Sequence, residues 1–288
     1  MPKHYAILSK SRVLFNREYE HIAILSFLGQ NWDMEKLAVW AENFTVRFNA
    51  IDKSDTMTLS AVLNVFQELA VSHAENLGVG REAMASTGQA WILSRMSVQI
   101  DRRPTYGETI TVRSWPRSRE KLFALRDFDS LDAQGKPIIR ARSCWIIIDM
   151  EKRRPIRPQT VLEGIHLNEG LDAMSFVPAG LEERKSMLKT AEHKALYNDI
   201  DYNGHVNNVS YIRWIENAMD FPLLEQAKRS RLDINYMNEV HPGEVVDLWS
   251  SGIEPAGESP PPAHALAFEG KKAHDGQTAF RAELRLWL

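Results

Sequence analysis

The stretch "DIDYNGHVNN", Asp199 to Asn208, sets an acid, an amide and an imidazole at alternate positions, Asp201, Asn203 and His205. One chemistry this suggests is metal binding. Asp199, Asp201, Asn203 and Gly204 copy the opening of a calcium loop, which takes oxygen ligands at positions 1, 3 and 5, glycine at 6 and a bidentate Glu at 12. Counting from Asp199, the twelfth residue is Ser210, and the sequence has no second such loop, so calcium is not expected. His205 and His241 have no second histidine one helical turn away. Asp201, His205, Glu239 and His241 can converge in space, but nothing in the sequence requires a metal. A second reading is a plain turn: Gly204 supplies a positive φ, and Asn207 or Asn208 caps a helix. That accounts for those three residues but not for an imidazole where a helix starts. The third reading is a catalytic turn, in which His205 handles a proton near neutral pH and Asn203 donates an amide hydrogen to a carbonyl oxygen.

These residues need elements to hold them. "ENFTVRFN" alternates Phe44, Val46 and Phe48 as a strand does. "TLSAVLNVFQELAVSHAENLG" predicts a helix, with Thr58 or Ser60 as its cap, Gly78 at its end, and Leu59, Val62, Leu63, Phe66, Leu69, Ala70, His73 and Leu77 at helical spacing. "AWILSRMSVQI", "ETITVRSWP", "LFALRDFDSL" and "IIRARSCWIIID" follow as an antiparallel meander. The order then repeats. "VNNVSYIRWIENAMD" is a helix with Val209, Ile212, Ile215 and Met219 on one face, and four strand-like runs come after it. Aligning "IDRRPTYGETITVRSW" with "YMNEVHPGEVVDLWSS" superposes Gly107 on Gly243 and sets Arg103 opposite Glu239, as an internal duplication would. The predicted organisation is an N-terminal extension (residues 1–40), a first unit (41–152), a Pro- and Gly-bearing linker (153–187) and a second unit (188–288).

Composition narrows the class. A net charge of −3 argues against general nucleic-acid binding. The single cysteine, Cys144, excludes an internal disulfide framework and fits a reduced, cytoplasmic compartment. No apolar run is long enough for a membrane span, and "HIAILSFLG" lacks the cleavage site of a signal peptide.

A long helix wrapped by an antiparallel sheet, occurring twice, is an α+β tandem (double) hot-dog. "DIDYNGHVNNVSYIRWIE" resembles the signature of the acyl-acyl carrier protein thioesterases, bacterial relatives of the plant fatty-acyl thioesterases. "WILSRMSVQIDRRPTYGETITVRSW" resembles the matching strands of that family's N-terminal hot-dog, and "YMNEVHPGEVVD" its later acidic motif. The resemblance runs from about Trp40 to the C-terminus. It implies hydrolysis of acyl carrier protein thioesters to free fatty acid, with acyl-CoA hydrolysis or non-catalytic acyl binding as rivals. It also implies a catalytic set that maps onto Asp201, Asn203, His205 and Glu239, with Asp201 orienting His205 or Asn203 and Glu239 helping to activate water. Some members carry Cys directly after that Glu; here the residue is Val240, so a cysteine acyl-enzyme is not expected.

The first unit's corresponding loop, "DKSDTMTLS", has no histidine, so one active site per chain is expected. The family places its acyl-chain tunnel in the N-terminal unit, which makes Met57, Leu59, Val62, Leu63, Phe66, Trp91 and Met96 candidates for its lining; each is also an ordinary core residue type. The basic run Lys152, Arg153, Arg154 and Arg157 would suit an acidic carrier protein. No cofactor is implied, because phosphopantetheine arrives on the substrate. Two fused hot-dogs already pair the edge that a single one uses to dimerise, so the expected state is monomer or homodimer.

Overall fold

The computed structural model describes residues 36–254 and 259–288. The expected 1–40 extension lies, up to residue 35, outside the described residues. The first unit consists of β1 (Trp40–Thr45), α1 (Leu59–Asn76), the short α2 (Arg81–Ser86), β2 (Gln89–Ile100), β3 (Thr109–Glu120), β4 (Phe123–Leu131) and β5 (Pro137–Asp149). A short β6 (Arg154–Ile156) folds back on β5. The second unit repeats this as β7 (Leu188–Lys194), α3 (Asn208–Asn217), α4 (Phe221–Gln226), β8 (Arg229–Tyr236), β9 (Val245–Gly252), β10 (His264–Lys272) and β11 (Thr278–Trp287).

The strands form one antiparallel sheet in the order β1, β3, β4, β5, β2, β8, β11, β10, β9, β7, with β6 beside β5. Read from either end toward the middle, the order of equivalent strands is the same. The seam is β2 against β8, in a register that sets Ser97 opposite Asp233. The same pair is equivalent under the offset that superposes Gly107 on Gly243, so the local twofold relating the halves passes through it. Ser97 donates its hydroxyl to the Asp233 carboxylate across that axis. The expected meander is therefore only partly present. β2 does not pair with β3 but lies between β5 and β8, because it must serve both its own sheet half and the seam.

Helix α1 fills the concave face of the first half. Its cap is Thr58, whose hydroxyl accepts from the Ala61 N–H at 3.1 Å, and Gly78 at φ +73° follows its end. Leu59, Val62, Leu63, Phe66, Leu69, Ala70 and His73 are all buried, and Phe66 stacks on Phe128 of β4 with centroids 5.0 Å apart. In the second half Val209, Ile212 and Ile215 of α3 are buried; Met219 is also buried, but beyond the helix end. α1 and α3 pack on each other, and one apolar cluster runs through both halves. The strand expected through Asn49 stops at Thr45. Phe48 sits in a 3-10 turn, 79% exposed, edge-on to Tyr106.

The segment expected to be a linker is packed. Its first residues form β6, so the boundary at residue 153 cuts a hairpin. The rest crosses the outer face of the sheet. Strands buried on one face place charged residues on the other, and those charges need partners when they are covered. Arg142 is held by Asp127 and by Asp172 of this segment, at 2.6 Å each. Trp115 donates to the Leu171 carbonyl at 3.0 Å. Asn235 of β8 binds the Ala179 carbonyl and the Leu181 N–H. The segment thus ties both halves to one surface.

One polar pair lies inside the first half. The Arg126 guanidinium donates to His73 Nδ1 at 3.0 Å and Ser114 Oγ at 2.9 Å, and meets no carboxylate among the described residues. Because a guanidinium only donates, Nδ1 must accept, leaving Nε2–H to donate to the Leu37 carbonyl at 2.8 Å. Burial, reinforced by the Arg126 charge, pushes the His73 pKa from 6.5 down to about 3. Burial also lowers Arg126 to about 10, which leaves it charged at neutral pH. Folded and unfolded chains both hold His73 neutral above pH 6.5. Below that the unfolded chain takes a proton that the folded one refuses. Stability from this site is therefore full above pH 6.5 and falls as the pH drops toward 3, by up to about 1.4 kcal/mol per pH unit. Urea titrations between pH 7 and 4.5 are expected to show a shallower acid loss in His73→Gln than in the parent chain. Equal slopes would show that His73 is not the titrating group.

Candidate active site

The "DIDYNGHVNN" stretch forms a tight closed loop. Ile200 and Val206 face each other across an isolated antiparallel bridge. Inside it the Asp201 N–H donates to the His205 carbonyl at 2.9 Å and the Gly204 N–H to the Asp201 carbonyl at 3.0 Å. Gly204, at φ +81°, supplies the left-handed turn that the sequence suggested. Asp201 accepts the Asn203 N–H at 2.8 Å and faces the Asn203 amide nitrogen at 3.4 Å. Of the two tasks considered for Asp201, the hydrogen bonds of its carboxylate favour Asn203. Asn207, not Asn208, is the helix cap, and its side chain accepts from the Val209 N–H at 2.8 Å.

The loop is pinned to the β8–β9 connection by the Val206 N–H, which donates to the Val240 carbonyl at 2.8 Å. That single bond sets Glu239 beside His205, with Nε2 and Oε2 3.3 Å apart. His205 and Glu239 expose 29% and 57% of their side chains, so water reaches both. The His241 ring lies edge-on to His205 with centroids 4.8 Å apart. Behind the loop stands Tyr211, buried against Trp214, Tyr236 and Phe280. Burial, and after it the Glu239 charge, pushes its phenol above the ordinary tyrosine range. Sequence reasoning gave His241 no role beyond a possible metal ligand and passed over Tyr211, whose only signal was its place in the first turn of α3. Tyr202 reaches across to the first half, where the Arg81 guanidinium lies 3.9 Å from its ring centroid.

The first half keeps the frame of this loop without its chemistry. Ile51 and Met57 form the matching bridge, and the Met57 N–H donates to the Pro104 carbonyl at 2.8 Å. Asp52 accepts from the Ser54 N–H at 2.9 Å, as Asp201 does from Asn203. Asp55 takes the left-handed position of Gly204 at φ 60°. Ser54 then stands for Asn203, Thr56 for His205 and Arg103 for Glu239. Arg103 binds Asp52 at 2.6 Å and the Leu224 carbonyl at 3.0 Å. Burial works against ionisation of Asp52, but its bonds to Ser54 and Arg103 outweigh it and hold the carboxyl below the usual range.

The other candidates are dispersed. Met57, Leu59, Val62, Leu63, Phe66 and Met96 are buried in the main core around α1. Trp91 is not among them. It lies past the end of α1, where it packs with Leu77 and Leu162 and donates to the Val79 carbonyl at 2.9 Å. Lys152 and Arg153 in the β5–β6 turn, Arg154 on β6 and Arg157 just after it are exposed, and Lys152 engages Asp149 at 3.2 Å. Arg117, on β3, is bound to Asp172 at 2.8 Å. Cys144 is fully buried on β5, and burial pushes its thiol up to about 12, so it offers no thiolate.

Family models for the acyl-ACP thioesterase N-terminal and C-terminal domains match residues 38–165 and 182–282. The chain belongs to the acyl-ACP thioesterase family. It is 30% identical over 221 residues to a palmitoyl-acyl carrier protein thioesterase of Gossypium hirsutum, covering 70% of this chain and 52% of that one. It is 26% identical to oleoyl-acyl carrier protein thioesterase 2 of Arabidopsis thaliana, over 77% of this chain and 65% of the relative. The chain thus spans about half the length of the first of these relatives. Among solved structures, an acyl-ACP thioesterase from Bacteroides thetaiotaomicron superposes with a TM-score of 0.70 at 23% identity, covering 86% of this chain and 97% of that one. The 12:0-ACP thioesterase from Umbellularia californica gives 0.70 at 21% identity, over 86% of this chain and 93% of that one. At these identities the likeness shows the fold, a tandem hot-dog, which this acyl-ACP thioesterase family member shares with them.

Proposed function

We propose that this chain hydrolyses acyl-acyl carrier protein, releasing a free fatty acid and the holo carrier protein. The observation that carries the proposal is the His205–Glu239 pair, 3.3 Å apart and open to water at the N-terminal end of α3. Asp201 orients Asn203, whose amide donates to the thioester oxygen together with N–H groups at the helix start. His205 and Glu239 take a proton from water as its oxygen bonds to the carbonyl carbon. When the tetrahedral intermediate collapses, the carbon–sulfur bond breaks and the proton passes to the departing thiolate. In the first half Thr56 and Arg103 stand in the equivalent places, with Arg103 bound to Asp52, which supports one site per chain. The acyl chain would extend into the N-terminal half, with Met57, Leu59, Val62, Leu63, Phe66 and Met96 at its border. No cofactor or metal is required. Among the described residues, no helix is long and apolar enough to cross a membrane.

Turnover by purified variants tests this directly. Asn203→Ala is expected to lower kcat by roughly 10²–10³, and His205→Ala or Glu239→Ala by roughly 10²–10⁴, each with an unchanged melting temperature. Near-parental turnover in His205→Ala would overturn the mechanism.

Carrier protein and CoA present the same phosphopantetheine thioester, so surface outside the site must separate them. An acidic carrier fits the exposed Arg153 and Arg154. Higher kcat/KM is expected for a given acyl group on carrier protein than on CoA. The preference should shrink with salt, since exposed charges are screened beyond about 10 Å at 0.1 M. The double change Arg153→Glu with Arg154→Glu should raise KM for the carrier substrate more than for CoA. Equal or better turnover of acyl-CoA at every salt concentration would favour acyl-CoA as the substrate.

A further inference from the structure

The donor atoms of His205, Glu239 and His241 all lie within 4.8 Å of one another. Two imidazoles and a carboxylate form a set that zinc accepts in open sites, with water completing the tetrahedron. Zinc bonds of about 2.0–2.2 Å place tetrahedral donor atoms about 3.3 Å apart. His205 Nε2 and Glu239 Oε2 already stand at 3.3 Å. The remaining separations need to close by no more than about 1.5 Å, between side chains that are exposed or half-exposed. Glu239 and His241 come from one connection at positions i and i+2, and His205 from the facing loop, so an ion would bridge the two segments that the Val206–Val240 bond holds together. Among the described residues Glu239 has no Lys or Arg partner to compete for it. The His241 backbone is itself anchored, its N–H donating to Glu244 at 2.7 Å.

We infer that His205, Glu239 and His241 form a zinc site that shuts the enzyme off when filled. The inhibitory sign follows from the atoms involved and rests on the function proposed above. The lone pair that His205 Nε2 would use to take a proton from water is the one it would give to zinc, and the Glu239 oxygen facing it is bound in the same way. Proton transfer and metal binding are mutually exclusive at both groups. Mixed nitrogen and oxygen donors suit zinc better than calcium, which takes all-oxygen shells. The site is thus different in kind from the calcium loop that the Asp199–Gly204 spacing imitates.

Calorimetry with zinc sulfate on EDTA-treated, desalted protein tests the binding without reference to any substrate. One saturable equivalent is expected. His241→Ala, Glu239→Gln and His205→Gln should each weaken it at least about tenfold. His274→Ala should not, although His274 also lies near two carboxylates. Calcium chloride should give no binding heat. In a thioester hydrolysis assay, zinc should inhibit the parent enzyme with a midpoint matching its calorimetric affinity. His241→Ala, read against its own zinc-free rate, should need at least about ten times more zinc. Far-UV circular dichroism confirms that each variant is folded, and a zinc-induced rise in the parent's melting temperature gives a second measure of binding. Absence of a saturable equivalent, or equal affinity in all three ligand variants, would overturn the site. Binding without inhibition, or activation by zinc, would overturn the inhibitory role. Zinc binding in a protein that hydrolyses no thioester would uphold the site and reject the function it was said to control.

Discussion

Strand β2 pairs with β5 along one edge and with β8 along the other, and the register of that second pairing governs the rest of the molecule. With Ser97 opposite Asp233 on the local axis, two half-sheets become one and their helices are brought together on the same concave side. The contact between helices is polar as well as apolar. Glu216, at the end of α3, accepts the N–H groups of Leu59 at 2.8 Å and Ser60 at 3.3 Å, at the start of α1. Burial raises the Glu216 pKa against the opposing pull of these bonds. The N-terminal end of one helix is thereby held by the C-terminal end of the other. A slip of one residue at the seam would turn the inward faces of β2 and β8 outward and break this arrangement. Each half thus helps to build its partner's surroundings, as the Arg81–Tyr202 contact at the Asp201–His205 loop illustrates.

Within that frame the two loops have diverged by a few side chains. The backbone bonds of Asp52 with Thr56 and of Asp201 with His205 are alike, and both loops lean on the connection after the seam strand through one N–H. Where the second loop meets a carboxylate, the first meets a guanidinium. Glu239 stands 3.3 Å from His205 and, among the described residues, ties up no other loop residue. Arg103 instead locks Asp52 and reaches across to the Leu224 carbonyl, while Lys53 pairs with Glu225 at 2.7 Å. The scaffold holds two equivalent places, and at the first of them these contacts join the halves.

Much of this was legible in the residues. The helical spacing from Leu59 to Leu77, a cap at Thr58 or Ser60 and the Gly78 stop are local signals, and of the two caps the structure uses Thr58. Arg103 opposite Glu239 was readable because both follow the seam strand at the same distance from a positive-φ glycine. What the sequence did not reveal depends on contacts between distant segments. Phe48 alternates like a strand residue, but the strand ends three residues earlier, and after the Val46 bonds to Glu108 and Gly107 the chain enters a 3-10 turn. Trp91 lies on a strand that outruns α1, so it packs beyond the helix end, and only the relative lengths of the two elements decide that. The connecting segment lacks periodicity because it answers to the polar side chains beneath it, Arg142 and Asn235 among them, and not to an apolar face of its own. His241 carried no pattern, since its closeness to His205 arises from one long-range backbone bond.

The central claim is that the second loop, and not the first, holds the reacting carbonyl while the hydrocarbon lies along α1. A crystal structure with an acyl-phosphopantetheine analogue carrying an amide in place of the thioester tests it most directly. The account predicts the amide oxygen within hydrogen-bond reach of Asn203 Nδ2, its carbonyl carbon facing the His205–Glu239 pair, and the acyl chain entering the N-terminal half beside Phe66. A carbonyl seated at the Asp52–Arg103 loop, or one beyond reach of Asn203 with its chain in the C-terminal half, would contradict it.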